Sequence, residues 1–367
     1  MGECTGRREV SSTARGLHAV TALIHVHTTL SDGQATAEEI ARSAARCGVE
    51  VVVITDHDRS FAGPRWVEGV LLVAGREASP RHNHLILVGG DTPPPRPREE
   101  GPEGDMAAEL ARARAAGAWT ALAHPLDPAL PLVASSRSFV ALDMAAGVEA
   151  DGLELWNAMS AFKRGLDNPW LGLGRVFLPG RSLAGPHPVV LALWDTVGRR
   201  RRWPAFAGAD AHGFSSGRAW LPLRIYSYRR HMRLLTTGLW LERPFTGRAE
   251  ADQELVIDAL RAGRAYCALG RARGFSCRLR GPGGRVWPPG AELAHGPGLV
   301  VEVELPARGW ARLLCHGRPV FQGRGRYFSW PVEGAGVWRL EVFRRRRPGG
   351  WRPWIYCNPF YLREERA

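Results

Sequence analysis

Histidine and carboxylate side chains occur in short motifs that could bind divalent metal ions. His25 and His27 are separated by one residue at the end of a predicted strand, Ala22–His27. Because side chains two positions apart on a strand point to the same face, both imidazoles could contact one ion. A single pair of this kind often arises by chance, so the pair needs support from the rest of the chain.

Further candidate ligands lie at the ends of other predicted strands. They are Asp32, in a turn after His27; His57, after Val49–Thr55; Glu77, after Val70–Val73; His84, before Leu85–Val88; His124, at the end of Trp119–Ala123; and Asp210 and His212, after Pro204–Gly208. In a barrel of parallel strands, the carboxyl ends meet at one rim, where active sites form. Imidazoles and carboxylates without thiolates favour zinc, manganese or iron. The sequence therefore predicts a metal centre at such a rim.

Alternating strands and helices must position these residues. A helix is predicted from an N-cap at Thr36 to Cys47, ending at Gly48, and further helices are predicted over Met106–Ala116, Val189–Val197 and Asp252–Ala262. Repeated strand–helix units predict a mostly parallel sheet or barrel. Beyond Gly270, short alternating strands between Gly and Pro turns predict a small all-β module resembling a sandwich. We therefore expect a polar extension over residues 1–19, a barrel over 20–269 and a β module over 270–367.

Taken together, the motifs resemble those of the PHP superfamily of metallohydrolases, named for polymerase and histidinol phosphatase. The matching motifs, in order, are His25–Gly33, Thr55-Asp56-His57, Glu77, Ala123-His124-Pro125 and Asp210-Ala211-His212. The wider pattern is similar to the CehA/McbA-like branch. Its matching segments are Asn83-His84-Leu85, Gly152–Asn157, Leu191–Asp195, Ala259–Arg264 and Trp354–Tyr361. The resemblance covers roughly residues 20–361 and implies a distorted (β/α)7 barrel carrying up to three metal ions.

The resemblance also implies roles for individual residues. It implies one ion held by His25, His27, Glu77 and Asp210; a second held by His84 and His124, with Glu77 as a bridge; and a third held by Asp32, His57 and His212. All nine positions hold a coordinating side chain. The implied nucleophile is a metal-bound hydroxide, with Asp210, His212 and His57 as supporting catalytic candidates. The cofactors expected are two or three divalent ions, whether Zn, Mn or Fe.

Several neighbouring residues have two interpretations. His82 could replace His84 as the ligand, although His84 abuts the strand. Asp56 and Asp58 flank His57 and are interpreted as solvated carboxylates or as groups that orient an imidazole. Four residues are candidates for substrate binding. Arg59 and Arg218 follow ligand motifs and could hold an anionic substrate, whereas Glu154 and Asn157 end a strand at the same rim and have either a cleft role or a structural one.

The net charge of +13 is confined to one part of the chain. Residues 1–220 carry a net charge of −1 and residues 221–367 carry +14, and Lys163 is the only lysine among 49 basic residues. The excess could form a docking surface for nucleic acid, or it could reflect the arginine-rich usage of a GC-rich genome. The runs Arg199–Arg202 and Arg344–Arg347 are expected to be solvated, the first of them in a loop.

Cysteine usage and hydropathy favour a cytoplasmic protein that does not enter a membrane. The six cysteines are scattered without a C-x-x-C pair, unlike a disulfide framework. The first residues lack the apolar stretch of a secretory signal, and no apolar run approaches the roughly 18 residues of a membrane span.

These observations lead to one leading hypothesis and two alternatives. The leading hypothesis is metal-dependent hydrolysis of a small anionic phosphoester. The first alternative is hydrolysis of a carbamate, carboxylic ester or amide at the same centre. The second is nucleic-acid processing or binding, with the basic C-terminal part as the docking surface. The oligomeric state is left open.

Overall fold

The computed structural model describes residues 16–79, 84–90, 106–129, 139–140, 149–164, 166, 168–213, 226–345 and 349–364. The strands up to residue 269 are His18–Val26 (β1), Val51–Ile54 (β2), Arg65–Val67 (β3), Val70–Ala78 (β4), Leu85–Val88 (β5), Trp119–Leu122 (β6), Leu126–Asp127 (β7), Phe139–Val140 (β8), Gly152–Asn157 (β9), Ala205–Ala211 (β10), Leu235–Leu241 (β11) and Ala265–Leu269 (β12). The helices are Ala37–Cys47 (α1), Met106–Ala115 (α2), Ala158–Lys163 (α3), Pro169–Phe177 (α4), Pro179–Ser182 (α5), Pro188–Arg200 (α6), Tyr228–Leu234 (α7) and Ala249–Arg261 (α8).

Seven of these strands close into a barrel. Around the ring the order is β1, β2, β4, β5, β6, β9 and β10, and β10 pairs again with β1. The pairs are parallel except at β5, which runs antiparallel to both β4 and β6. The predicted mixed α/β barrel is therefore confirmed, with strands that are buried along their whole length, as in β2.

The parallel neighbours β2 and β4 are not joined by a helix, so strands and helices do not alternate strictly. Residues 55–69, all described, contain the short strand β3 and no helix, and β3 pairs antiparallel with β4. By contrast, α1 joins β1 to β2 as predicted. Thr36 caps this helix by accepting from the Glu39 backbone, the Glu39 side chain accepts from the Thr36 backbone, and Gly48 ends it at a positive φ of 63°.

The C-terminal strands continue the sheet of the barrel. They are Ser276–Arg280 (β13), Val286–Trp287 (β14), Glu292–Ala294 (β15), Val300–Cys315 (β16), Arg318–Pro331 (β17), Gly336–Arg345 (β18) and Trp351–Arg363 (β19), with a 3₁₀ turn at Pro282–Gly284. Most pairs are antiparallel, and β19 pairs with β12 through Tyr266 and Cys357. Some of the short strands predicted for this part are thus segments of longer strands, and β16 runs without a break over 16 residues.

Other sequence expectations have mixed outcomes. Arg199 and Arg200 lie in the last turn of α6, not in a loop, because this helix runs three residues further than predicted. Cys47, Cys267, Cys277, Cys315 and Cys357 are free thiols. Among the described residues, no helix is long and apolar enough to cross a bilayer.

Candidate metal centre

All nine predicted ligand residues meet at one end of the barrel. His25 lies near the end of β1, His27 directly after it, and Asp32 in the turn that follows. The others come from the ends of β2, β5, β6 and β10 and from within β4. Two predicted positions are corrected: Glu77 lies inside β4, which extends to Ala78, and Asp210 lies inside β10, which extends to Ala211.

The orientation of β5 explains how His84 joins this group. His84 precedes its strand, so in a parallel strand it would lie at the opposite end of the barrel. Because β5 is antiparallel to its neighbours, its amino end meets the carboxyl ends of the parallel strands.

Glu77 occupies the middle of the cluster and is buried. Its Oε1 lies 2.7 Å from His84 Nδ1 and 3.0 Å from His124 Nε2. Its Oε2 lies 3.1–3.2 Å from one ring nitrogen each of His25, His27 and His57. A single carboxylate therefore faces imidazoles on both sides, as a bridging ligand would.

Two further carboxylates close the other side of the cluster. Asp210 Oδ1 lies 3.5 Å from His27 Nε2 and 3.7 Å from His25 Nε2. Asp32 Oδ2 lies 3.3 Å from His212 Nε2, and Asp32 Oδ1 lies 3.5 Å from His27 Nδ1. Asp32 is half-exposed, so this part of the cluster faces solvent.

Four groups of side chains offer ligand atoms within 4.8 Å of one another. They are His27, Asp32, His57 and His212; His25, His27 and Asp210; His57, Glu77 and His84; and His25, His124 and Glu154. The first contains the predicted third set with His27 added, and the second contains the predicted first set without Glu77. The division of the ligands among ions stays a prediction.

The buried imidazoles fit a bound cation better than a closed hydrogen-bond network. His25 and His27 are fully buried. His25 Nε2 and both ring nitrogens of His27 have no hydrogen-bond partner, although carboxylate oxygens lie nearby. Buried polar atoms normally have hydrogen-bond partners, and a bound ion is one of the recognised reasons for an exception. The residues present therefore fit the metal ions that the sequence predicts.

The close contacts between carboxylates and imidazoles shift the pKa values of both kinds of group. Burial alone would raise the pKa of Glu77, but the surrounding imidazoles outweigh it and hold this pKa well below its usual range. Asp210 behaves in the same way, with its pKa lowered mainly by His25 and His27. Burial would lower the pKa of His27, but Asp210 and Glu77 raise it to about 9. The carboxylates are therefore anionic at neutral pH and His27 is protonated, so a metal ion that binds here would displace the His27 proton.

Backbone strain is concentrated at the same place. His25 has φ of 68° and Asp210 has φ of 49°, values that L-residues rarely adopt. The register between β1 and its neighbours shifts at His25. His25 and His27 thus share a site through this irregularity, with ring centroids 5.2 Å apart, and not through regular strand alternation alone. Such strain persists where surrounding structure imposes it, most often at functional sites.

Glu154 positions ligands from beneath the cluster. Its Oε1 accepts from His25 Nδ1 at 2.9 Å and from Asn157 Nδ2 at 3.0 Å, and its Oε2 accepts from the His124 backbone at 2.6 Å. A Cβ at Gly208 would lie 1.5 Å from Glu154 Oε1, so glycine is required there to make room. These contacts fit the structural alternative for Glu154 and Asn157, and a role of the two residues in a cleft stays a prediction.

Asp56 and Tyr228 hold the loops that carry the ligands. Asp56 is buried and accepts from the backbone and hydroxyl of Thr28 and from the Ser31 hydroxyl. The Tyr228 hydroxyl lies 2.9 Å from the His27 carbonyl and 3.0 Å from the His212 carbonyl, to which it donates. Tyr228 was missed from the sequence because it follows the last ligand motif by 16 residues without any motif of its own.

The remaining predicted residues are less informative. Arg59 and Asp58 are exposed at the edge of the cluster, and Asp58 accepts from the Ser79 backbone. His82 and Arg218 lie outside the described residues.

Comparisons with known proteins give structural similarities only. No family model and no curated protein matches the sequence. Solved structures with a similar fold include PHP-like proteins. A two-domain protein from Bacteroides vulgatus, containing a predicted PHP-like metal-dependent phosphoesterase, has 12% identity and a TM-score of 0.48 over 97% of this chain and 100% of its own.

Two other solved structures cover about half of this chain. A candidate metal-dependent phosphoesterase from Bifidobacterium adolescentis has 17% identity and a TM-score of 0.36 over 52% of this chain and 87% of its own. An amidohydrolase from Chromobacterium violaceum, with bound sulfate and no metal, has 14% identity and a TM-score of 0.32 over the same shares. At such identities the likeness concerns the backbone, so the candidate chemistry depends on the side chains of this chain.

Proposed function

We propose that this chain is a metal-dependent phosphoesterase of the PHP superfamily, in its CehA/McbA-like branch, with a centre of two or three Zn, Mn or Fe ions. The observation that supports it most is the convergence of eight histidine and aspartate side chains around Glu77, with buried imidazole nitrogens of His25 and His27 that lack hydrogen-bond partners. A purely structural cluster would be expected to satisfy these atoms internally.

The ligands would divide around the Glu77 carboxylate. His84 and His124 face Oε1, while His25, His27 and His57 face Oε2. Asp210 faces His25 and His27. Asp32, His57 and His212 would complete the solvent-facing part. When bound, divalent ions lower the pKa of water and stabilise charge on the attacking and leaving oxygens of an ester.

The chain's own contribution is to fix these donors in place. Glu154 accepts from His25 Nδ1 and thereby directs His25 Nε2 towards Glu77. Tyr228 ties together the backbone carbonyls of His27 and His212. His57, His212 and Asp210 remain the supporting catalytic candidates, because they lie nearer to solvent than His25 and His27 and could exchange protons with water.

A phosphoester is favoured over other esters because clustered cations stabilise the charge that develops on a transferring phosphoryl group. Carbamates, carboxylic esters and amides remain the alternative substrates of the same centre. Assays of the metal-loaded protein on p-nitrophenyl phosphate, bis-p-nitrophenyl phosphate and a naphthyl carbamate separate these classes. We expect turnover of a phosphate ester, and turnover of the carbamate alone would overturn the phosphoesterase proposal.

The metal centre itself is tested by elemental analysis of the double variant His25→Ala, His27→Ala. We expect loss of bound metal and a fall in kcat/KM of about a thousandfold or more, because bound ions contribute several kcal/mol to the transition state. His295→Ala is the control, since His295 lies in the C-terminal strands and contacts the Val332 carbonyl. Unchanged metal content and activity in the double variant would show that the cluster is not the centre.

Nucleic-acid processing or binding is the alternative of a different class, with the basic C-terminal part as the docking surface. Electrostatic binding to an oligonucleotide would weaken steeply between 50 and 200 mM salt. Binding that is absent or insensitive to salt would dismiss this alternative without affecting the hydrolase proposal.

A further inference from the structure

A cavity of about 490 Å³ lies directly beside the candidate metal centre. Its wall is built by the chain after β6, by the end of β9 with α3, and by the loop that enters α6. His124 and Glu154 belong to both the cavity wall and the centre. The volume is within the range of roughly 300–1,000 Å³ that is typical of small-molecule sites. A substrate held at the ions could therefore extend into this space.

The wall of the cavity is largely apolar. Its side chains include Leu126, Trp156, Ala161, Val189 and Val190. Trp156 and Val190 are buried, whereas Val189 is 50% exposed. An apolar group that enters the cavity would leave water and contact mostly carbon atoms, which is favourable in proportion to the area removed from water.

Several polar side chains of this wall form hydrogen bonds within the protein. Asp127 accepts from the Ser160 hydroxyl at 2.7 Å and from Lys163 Nζ at 2.6 Å. Trp156 Nε1 donates to the Ala184 carbonyl at 2.9 Å. Lys163 thus neutralises Asp127, and Glu154, the second carboxylate on the described wall, already accepts from His25 and Asn157. Neither carboxylate is free to attract a charged occupant.

The cavity mouth near α6 carries polar side chains. His187 Nδ1 accepts from the Val189 backbone, and burial together with the nearby Arg164 guanidinium lowers the pKa of His187. His187 is therefore neutral at pH 7. The Arg164 guanidinium is a cation at this mouth, and it donates to the Gly185 carbonyl. The apolar character therefore belongs to the inner wall and not to this edge.

We propose that this cavity binds an uncharged apolar group of the substrate, such as an alkyl or aryl group of four or more carbons. The inference depends on the proposed phosphoesterase function and specifies its substrate class as phosphate esters of apolar alcohols. In the reaction, a bond forms between phosphorus and the oxygen of water, and the bond to the alcohol oxygen breaks. The alcohol leaves with a proton from water, and the other product is inorganic phosphate.

Turnover of methyl, butyl and cyclohexylmethyl phosphates tests the preference, because the leaving alcohols have similar basicity. Each buried methylene contributes about a fourfold gain in kcat/KM, so butyl phosphate should exceed methyl phosphate by up to about 60-fold. Phosphate release by the metal-loaded protein is the measurement. Equal kcat/KM for the three esters would overturn the cavity proposal and leave the proposed function intact.

Val189→Asp places a charge on the cavity wall without disturbing the core. Val189 lies in the first turn of α6, where an aspartate is favoured by the helix dipole. We expect the butyl-to-methyl ratio of kcat/KM to fall by at least about fourfold, because a carboxylate on the wall disfavours the alkyl group more than it disfavours a methyl group. Val320→Asp is the matched control, because Val320 is 49% exposed on β17 and lies outside the cavity wall. An equal fall in both variants would contradict the assignment.

Binding of cyclohexylmethanol to the metal-free protein, measured by calorimetry, separates the two proposals. Saturable binding that Val189→Asp weakens and Val320→Asp preserves would support the cavity assignment even if no phosphate ester were turned over. In that outcome the proposed function alone would fail. Absence of saturable binding, together with turnover that does not depend on the alkyl group, would overturn the cavity assignment alone.

Discussion

Two buried polar clusters of this protein differ in how completely they satisfy their own atoms. Where β18 packs against α6, Arg339 donates through Nε and Nη2 to both oxygens of Asp195, at 2.6 and 2.8 Å, and through Nη1 to Glu341. At the barrel rim, by contrast, His25 and His27 retain buried nitrogens without hydrogen-bond partners. The Arg339 guanidinium is thus paired within the chain, whereas the rim imidazoles keep nitrogens that fit the bound ions proposed above.

Buried charge has a different role in each of the two regions. Asp195 and Glu341 outweigh burial and raise the pKa of Arg339 further above its usual value, so this ion pair is fixed in its charged form. Such a pair joins the C-terminal strands to the barrel. The rim cluster instead combines strained backbone at His25 and Asp210 with imidazoles at close range. The first arrangement fits a structural role and the second a chemical one.

The largest effect on stability is expected from Arg339→Met. This change leaves the buried Asp195 carboxylate without its cation and leaves Glu341 paired with Arg312 alone, which costs about 3–5 kcal/mol of unfolding free energy. Urea denaturation measures it, and Arg345→Met on the exposed end of β18 is the control. Metal content of the folded variant should be unchanged. A loss below 1 kcal/mol, or a loss of metal, would remove the distinction between the clusters.

The next effect is on metal affinity and concerns Glu154→Gln. An amide cannot accept with both of its ends, so it cannot accept from His25 Nδ1, Asn157 and the His124 backbone at once. Loss of a group that orients a metal ligand reduces metal affinity by about 10- to 100-fold. The matched control is Glu341→Gln, which is equally buried in the other cluster. Equal effects of the two variants on metal affinity would contradict the comparison.

Much of the rim cluster was predictable because its residues follow strands that the sequence marks by continuous apolar runs. Its exact geometry was not. The antiparallel direction of β5, which brings His84 to the rim, depends on pairing with β4 and β6. The positive φ of His25 depends on contacts with two neighbouring strands. Neither feature has a local sequence signal.

The buried cluster of Arg339, Asp195 and Glu341 was not predicted from the sequence. Asp195 and Arg339 are separated by 144 residues, and each lies in a segment where a charged residue suits a solvated surface equally well. Only the packing of β18 against α6 places them together. The cavity wall has the same origin, because it combines three distant segments of the chain. Long-range packing of this kind leaves no periodicity for sequence reasoning to use.

A third buried polar group, His231 on α7, should make the stability of the fold depend on pH. Burial lowers the pKa of His231 to about 3, and Asp210 offsets only part of that effect. Since the unfolded chain takes up this proton near pH 6.5 and the folded chain does not, stability is lost as pH falls from 6.5 towards 3. Between pH 6.5 and 5 the loss is about 2 kcal/mol. His231→Gln should abolish this component in denaturation measured at each pH, and an identical pH dependence would contradict it.

The smallest effect is expected at the exposed ion pairs of the C-terminal strands. Glu302 accepts from Arg278 Nε at 2.7 Å and from Arg280 Nε at 2.6 Å, and all three side chains are partly exposed. Exposed pairs contribute less than about 1 kcal/mol and weaken with salt, because solvent screens both charges. Glu302→Gln should therefore change the unfolding free energy by less than this amount at 0.15 M salt and leave metal content unaltered. A loss comparable to that of Arg339→Met would show that ion pairs of arginine stabilise this region whether or not they are buried. Burial would then not explain why the Arg339 pair stabilises the fold more than exposed pairs do.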